Sequence, residues 1–109
     1  MAAANFNLPR RLGKAPPDGF RVQGYETSTT EKAQVVAQLR ASFAHLRAAI
    51  EGAQDANLEQ GFPWIGGTTN TQRGLMLFIA KHTSEHLGQS IAYARMNGVV
   101  PPWSQASGN

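Results

Sequence analysis

The chain has 109 residues, enough for one small domain and too few for two. It contains no cysteine, which excludes disulfides and zinc–thiolate sites, so a metal ion would need histidine, carboxylate or water as ligands. No apolar run approaches the roughly 20 residues of a membrane span, and the N-terminus lacks a secretory pattern. We therefore expect a cytoplasmic protein that does not enter a membrane.

The formal net charge is +3, and much of the excess lies in the first 21 residues, where Asp18 is opposed by four bases, Arg10, Arg11, Lys14 and Arg21. These bases are spread out and have few aromatic neighbours, so a solvated segment explains them better than nucleic-acid binding does. Prolines and glycines interrupt every periodic run in this part of the chain. We predict an irregular, extended segment over residues 1–27.

The first predicted helix covers about residues 29–51. Ser28 and Glu31 have the spacing of a capping box, although Thr29 or Thr30 are alternative caps. Apolar residues then recur at spacings of three and four and form a seam for a second helix: Val36, Leu39, Phe43, Leu46 and Ile50. Residues 53–69 are predicted to be a connecting loop in which three apolar side chains turn inward, namely Phe62, Trp64 and Ile65.

The second predicted helix covers about residues 71–97, with a cap at Thr69, Asn70 or Thr71 and a stop at Asn97–Gly98. At 100° per residue, one narrow arc contains Leu75, Ile79, His82, His86, Gln89 and Tyr93. A second apolar strip contains Leu77, Ala80, Leu87 and Ile91. This helix therefore needs neighbours on more than one side, and two helices alone cannot cover the apolar faces. The pattern predicts an all-α protein that carries half of a four-helix bundle.

His82 and His86 are four residues apart, so their side chains lie one above the other on the same helix face. This spacing lets two imidazoles reach one metal ion, and their place within an apolar stripe favours metal ligands over a solvated pair. Imidazole binds Zn²⁺, Ni²⁺ and Fe²⁺, and the sequence does not distinguish among these ions. The alternative is a pair of core histidines that are satisfied by hydrogen bonds.

Glu85 is a weak candidate for a general base or for a group that orients the histidines, and a surface ion pair explains it equally well. Thr83 occupies the position at which an HExxH motif needs its glutamate, so that motif is excluded. His45 lies away from the seam of the first helix, so we expect it to face solvent or a different partner.

The run from His82 to Ser104, HTSEHLGQSIAYARMNGVVPPWS, resembles the C-terminal part of DinB-like (damage-inducible) proteins. The stretch from Glu31 to Phe43, EKAQVVAQLRASF, is similar to the third helix of that family. Together the two stretches place the resemblance at about residues 28–104, with residues 1–27 as a separate segment and residues 105–109 as a disordered tail.

The resemblance implies a four-helix bundle that binds one divalent metal through three histidines, two of which correspond to His82 and His86. The third histidine of the family comes from the second helix, and no histidine precedes His45 here. We therefore expect a truncated member with an incomplete site. Relatives include thiol-dependent S-transferases, which implies a low-molecular-weight thiol cosubstrate, and many family members form dimers.

Two functions follow from these expectations. The first is a divalent-metal-binding protein that acts as a thiol-dependent S-transferase or hydrolase on a small molecule. The second is a non-catalytic helical module that forms a homodimer through its exposed apolar faces.

Overall fold

The computed structural model describes residues 1–104. In this part of the chain, the α-helices are α1 (Ala2–Asn7), α2 (Lys32–Glu51) and α3 (Gln72–Met96), and the strands are β1 (Gly61–Pro63) and β2 (Thr69–Thr71). Short 3₁₀ turns cover Leu8–Leu12, Tyr25–Thr27, Asp55–Asn57, Ile65–Gly67 and Pro102–Ser104. The all-α prediction is confirmed in outline, with a small antiparallel hairpin added, whereas the four-helix bundle is not confirmed. The predicted tail lies outside the described residues.

The two long helices match their predicted positions to within three residues. Thr71 caps α3, since its Oγ1 accepts a hydrogen bond from the backbone N–H of Gly74 at 3.1 Å. The predicted capping box of α2 is wrong. Its N-cap position is Glu31, without a side-chain hydrogen bond, and the Ser28 hydroxyl instead donates to the carbonyl of Tyr25 at 2.7 Å.

The prediction of an irregular N-terminal segment is wrong for its first twelve residues. Helix α1 continues into the 3₁₀ turn Leu8–Leu12, and Gly13 ends this turn at φ 86°. Pro9 is tolerated because it lies in the first turn, where its missing N–H has no helical partner. Asn5 donates from Nδ2 to the Ser42 Oγ of α2 at 3.2 Å, and both residues are buried. The segment is therefore part of the packed core.

The loop predicted between the long helices contains the hairpin, in which Phe62 pairs with Asn70 at the centre of the register. Phe62 and Trp64 are half-buried and pack on the core, as predicted. Ile65 does not turn inward and is 73% exposed. It belongs to a tight turn in which Gly66 and Gly67 both have positive φ, so the backbone carries Ile65 away from the core.

The core is small and lies where the C-terminal end of α2 meets the N-terminal half of α3. Leu46, Leu75 and Ile79 form its centre, and four partly buried residues pack around them: Leu8, Leu12, Phe62 and Trp64. The predicted seam of α2 is only partly used, since Phe43 is 36% and Ile50 41% exposed. Within residues 1–104, no helix combines the length and the apolar character that crossing a membrane requires.

Candidate functional site

The two candidate ligands, His82 and His86, lie one turn apart on α3 and are half-buried. Their ring centres are 4.5 Å apart and their planes are nearly perpendicular, at 88°. An ion held about 2.1 Å from each coordinating nitrogen leaves two imidazole centres roughly 5 Å apart. The observed separation is compatible with both rings reaching one ion.

A row of aromatic contacts connects the hairpin to the histidine pair. Phe78, one turn before His82, lies almost parallel to its ring, with 9° between planes and 5.8 Å between centres. The ring of Trp64 meets Phe78 edge-on at 5.3 Å, and Phe62 meets Trp64 at 5.8 Å. Arg11 lies over the far end of this row, 5.2 Å from the centre of the Phe62 ring. Ring packing therefore orients the imidazole of His82.

Both histidines open into a cleft of about 640 Å³ between the N-terminal segment and α3. The N-terminal segment supplies one wall, and the hairpin turn and α3 supply the other. The side chains lining the cleft are mostly apolar, and they include Ala4, Leu8, Val22, Trp64, Ile65 and Phe78. The cleft exists because residues 2–12 fold back onto the helices, so the sequence prediction of an extended segment missed it.

The charged groups of the cleft are paired with each other. The N-terminal ammonium of Met1 lies 3.1 Å from Oε1 of Glu26, and the same oxygen accepts the backbone N–H of Ala3 at 3.4 Å. Burial lowers the pKa of His82, and the neighbouring His86 and the N-terminal ammonium lower it further. The environment of His82 thus favours the neutral imidazole, which is the form that binds metal.

Glu85 points away from the cleft and forms an ion pair with Lys81, in which Nζ and Oε1 are 3.0 Å apart. This hydrogen bond and the charge of Lys81 lower the pKa of the Glu85 carboxyl. The carboxylate is exposed, so its contacts are those of a surface ion pair, which is the second of the two alternatives given for Glu85.

His45 is separate from the histidine pair and packs against the N-terminal segment. Its ring centre is 5.4 Å from that of Phe6, and its Nε2 is buried without a hydrogen-bond partner in the described part of the chain. Burial lowers the pKa of His45, and the charge of Lys14 lowers it further. Of the two alternatives predicted for His45, solvent or a different partner, the structure shows a partner, which is the folded-back segment.

The donor set fits part of a metal site. Two imidazoles share one cleft, but residues 1–104 contain no group of three or more His, Cys, Asp or Glu side chains that could hold an ion. Ligating histidines usually donate their second ring N–H to a carboxylate or carbonyl, and among the described residues no such bond fixes His82 or His86. Glu26 lines the cleft, but its Oε1 already accepts hydrogen bonds from the ammonium of Met1 and the backbone N–H of Ala3.

Sequence reasoning missed three features of this site, which are Glu26, the wall from α1 and Phe78. Glu26 and the wall from α1 lie far from the histidines along the chain, and no local pattern connects them. Phe78 is predictable from the sequence, because it lies four residues before His82 on the same helix face.

Comparison with protein families gives a match over most of the chain. The family model described as the DinB superfamily matches residues 1–90, which is most of the chain. This match includes the N-terminal segment, which the sequence resemblance had left out, and it contains both histidines of α3. Searches of the curated proteins and of the solved structures gave no match. The extent of the family match shows that this chain belongs to the DinB superfamily.

Proposed function

We propose that this protein binds one divalent metal ion in the cleft, with His82 and His86 as two of its ligands. The supporting observation is the placement of the two imidazoles, 4.5 Å apart on one helix face and open to the same cleft. Membership of the DinB superfamily supports the proposal, since the family is generally metal-binding. The imidazole ligands suit Zn²⁺, Ni²⁺ and Fe²⁺, and do not select among them.

The proposed site needs at least one ligand beyond the two histidines. Structural zinc sites use four ligands and catalytic sites commonly use three protein ligands plus water, whereas this chain brings two imidazoles together. We therefore propose weak metal binding by the isolated chain, and stronger binding when water, a thiol or another protein group completes the set.

The proposed activity is thiol-dependent S-transfer or hydrolysis, as the family resemblance implies. A bound metal would supply a lowered pKa for a coordinated thiol or water. The side chains of the chain itself have two roles in this proposal. The imidazoles hold the ion, and the apolar wall around Trp64 and Phe78 keeps bulk water from one side of the site.

Metal analysis with matched histidine variants tests the metal proposal. Purified protein titrated separately with Zn²⁺, Ni²⁺ and Fe²⁺ should bind one ion per chain at saturation, or one per dimer if two chains complete the site. His82→Ala should lower the affinity at least tenfold, because it removes one of the two proposed imidazole ligands. His45→Gln is the matched control, since His45 lies outside the cleft, and it should leave the affinity unchanged. Failure of all three metals to bind would contradict the proposal.

The second candidate function, a homodimeric helical module, is supported by the uncovered face of α2. Val36, Phe43 and Ile50 recur every seven residues along this face and are 36–41% exposed. A groove of about 590 Å³ lies beside Phe43 and Ile50. Coverage of this face by a second chain would bury the apolar stripe that one chain leaves open.

Light scattering coupled to size-exclusion chromatography tests the dimer. The wild-type protein should elute as a dimer at micromolar concentration, and Phe43→Asp should convert it to a monomer, because burial of a carboxylate in an apolar interface is unfavourable. Thr30→Asp, which also changes an exposed residue but lies outside the stripe, is the matched control and should remain dimeric. A folded wild-type monomer would argue against this function.

A further inference from the structure

The cleft beside the histidine pair has the dimensions and the walls of a small-molecule site. Its volume of about 640 Å³ lies within the range of roughly 300–1,000 Å³ that is typical of ligand pockets. Trp64 and Phe78 give one wall an aromatic surface, and Leu8 and Val22 belong to the apolar lining that surrounds the space. The lining therefore favours a ligand that is flat and mainly apolar.

The charges of the cleft do not favour an anionic ligand. Among the described residues that line it, none is Lys or Arg. The ammonium of Met1 and the carboxylate of Glu26 already pair with each other. A ligand with several carboxylates would lose its hydration without gaining a free cation, which is unfavourable.

The described lining side chains that keep free hydrogen-bonding groups are the two imidazoles and the amide of Asn7. In its neutral form, each imidazole has one N–H donor and one nitrogen acceptor, and in residues 1–104 no hydrogen bond occupies the nitrogens of His82 or His86. A hydroxyl group can both donate and accept, so it matches either nitrogen. Because the ring of Phe78 is stacked on that of His82, an aromatic ring that packs against Phe78 would bring a ring hydroxyl near this imidazole.

We propose that the cleft binds a small, uncharged hydroxyaromatic molecule. Its ring packs against Trp64 and Phe78, and its hydroxyl hydrogen-bonds to the imidazole of His82 or His86. This inference rests on the proposed function only in taking the cleft as the functional site, and the ligand does not need a bound metal.

Titration of the full chain with 2-naphthol, followed by NMR, tests the inference. The two tryptophans provide a control within one spectrum, since Trp64 lines the cleft, whereas Trp103 is 69% exposed and lies outside it. The indole N–H signal of Trp64 should shift saturably, and that of Trp103 should not. Trp103→Phe assigns the two signals. The anion 2-naphthoate should bind at least tenfold more weakly.

Two variants separate the hydrogen bond from the apolar wall. The double variant His82→Phe, His86→Phe keeps the rings and removes the nitrogens, so it should weaken 2-naphthol about fivefold, in line with roughly 1 kcal/mol for one hydrogen bond, and leave 2-methylnaphthalene unchanged. Ile65→Ala trims the wall at a residue that is 73% exposed, so the fold should tolerate it, and it should weaken both compounds two- to threefold. Phe43→Ala, in the groove of α2, is the control and should change neither affinity.

Equal shifts of both tryptophan signals, equal affinity for 2-naphthol and 2-naphthoate, or no effect of Ile65→Ala would each overturn the inference. A zinc titration of the same samples keeps the two proposals distinct. Zinc binding without 2-naphthol binding would overturn the ligand inference alone, and 2-naphthol binding without zinc binding would overturn only the metal proposal.

Discussion

The two halves of α3 share one amphipathic pattern and differ in how deeply that pattern is buried. Leu75 and Tyr93 are 18 residues apart, which is five whole helical turns, so they lie on the same side of the helix. Leu75 is 0% exposed and Tyr93 is 68% exposed. The same face is therefore core at one end and solvent-facing at the other.

The difference arises from what lies beside each half. The N-terminal half packs against α2, the hairpin and the 3₁₀ turn Leu8–Leu12, whereas Leu87 and Met96 in the C-terminal half are 58% and 81% exposed. His82 and His86 lie at the border between the two halves, where they are half-buried. Periodicity thus predicts which side of a helix is apolar, and the neighbours decide whether that side becomes core.

The largest expected effect on stability comes from replacing a side chain of the shared face by alanine in each half of α3. Leu75→Ala should lower the free energy of unfolding by about 2–5 kcal/mol, because it leaves a cavity in the centre of the core. Tyr93→Ala should change it by no more than about 0.5 kcal/mol in a monomer, as for most exposed positions. Urea denaturation of both variants measures the contrast.

A concentration series extends this comparison. If a second chain covers the C-terminal half, Tyr93→Ala should destabilise the protein more at high than at low protein concentration. A destabilisation by Tyr93→Ala that equals that of Leu75→Ala at every concentration would contradict the division of α3 into two halves.

Replacement of the glycines of α3 by alanine should change the free energy of unfolding by a smaller amount, which again differs between the two halves. A Cβ at Gly88 would meet no atom within 4 Å, so Gly88→Ala should raise the free energy of unfolding by about 1 kcal/mol through helix propensity. A Cβ at Gly74 would collide with Oδ1 of Asn70, which accepts a hydrogen bond from the backbone N–H of Thr71. Gly74→Ala should therefore be neutral or destabilising. Thermal unfolding of the two alanine variants measures the difference, and equal gains would contradict it.

The sequence alone was sufficient to predict the long helices and the face of α3 that carries the histidines. Their periodic apolar residues, the cap at Thr71 and the stop at Asn97–Gly98 are local signals, and the structure confirms both helices. The membership of the DinB superfamily was also predicted, and the family match confirms it. The truncation and the domain boundary at residue 28 stay predictions.

The rest of the site depends on contacts that are distant along the chain. Residues 2–12 become helical and form a wall of the cleft because Phe6 packs against the rings of Tyr25 and His45. The hydrogen bond from Asn5 to Ser42 spans 37 positions. No local pattern encodes such pairings, so the basic, proline-containing segment was interpreted as irregular. For the same reason, the sequence does not identify Phe6 as the partner of His45.

The smallest expected effect is a dependence of the free energy of unfolding on pH, to which the half-buried ring of His45 contributes. Burial and the charge of Lys14 lower the pKa of His45 in the folded protein below the ordinary histidine value of about 6.5. Between these two pKa values the unfolded chain binds more protons than the folded one, so the free energy of unfolding falls as the pH falls below about 6.5. The stabilisation is fully present above that pH. Protonation would place a second cation beside Lys14 and a charge against Phe6, which should loosen the N-terminal wall of the cleft.

Urea denaturation at pH values from 5 to 7.5 measures this effect. In the wild-type protein, the free energy of unfolding should fall as the pH falls, and in His45→Gln it should fall less steeply. The remaining slope is due to His82, whose pKa is lowered in the same direction. Identical slopes for the two proteins would show that the contact between His45 and Phe6 does not couple the N-terminal segment to protonation.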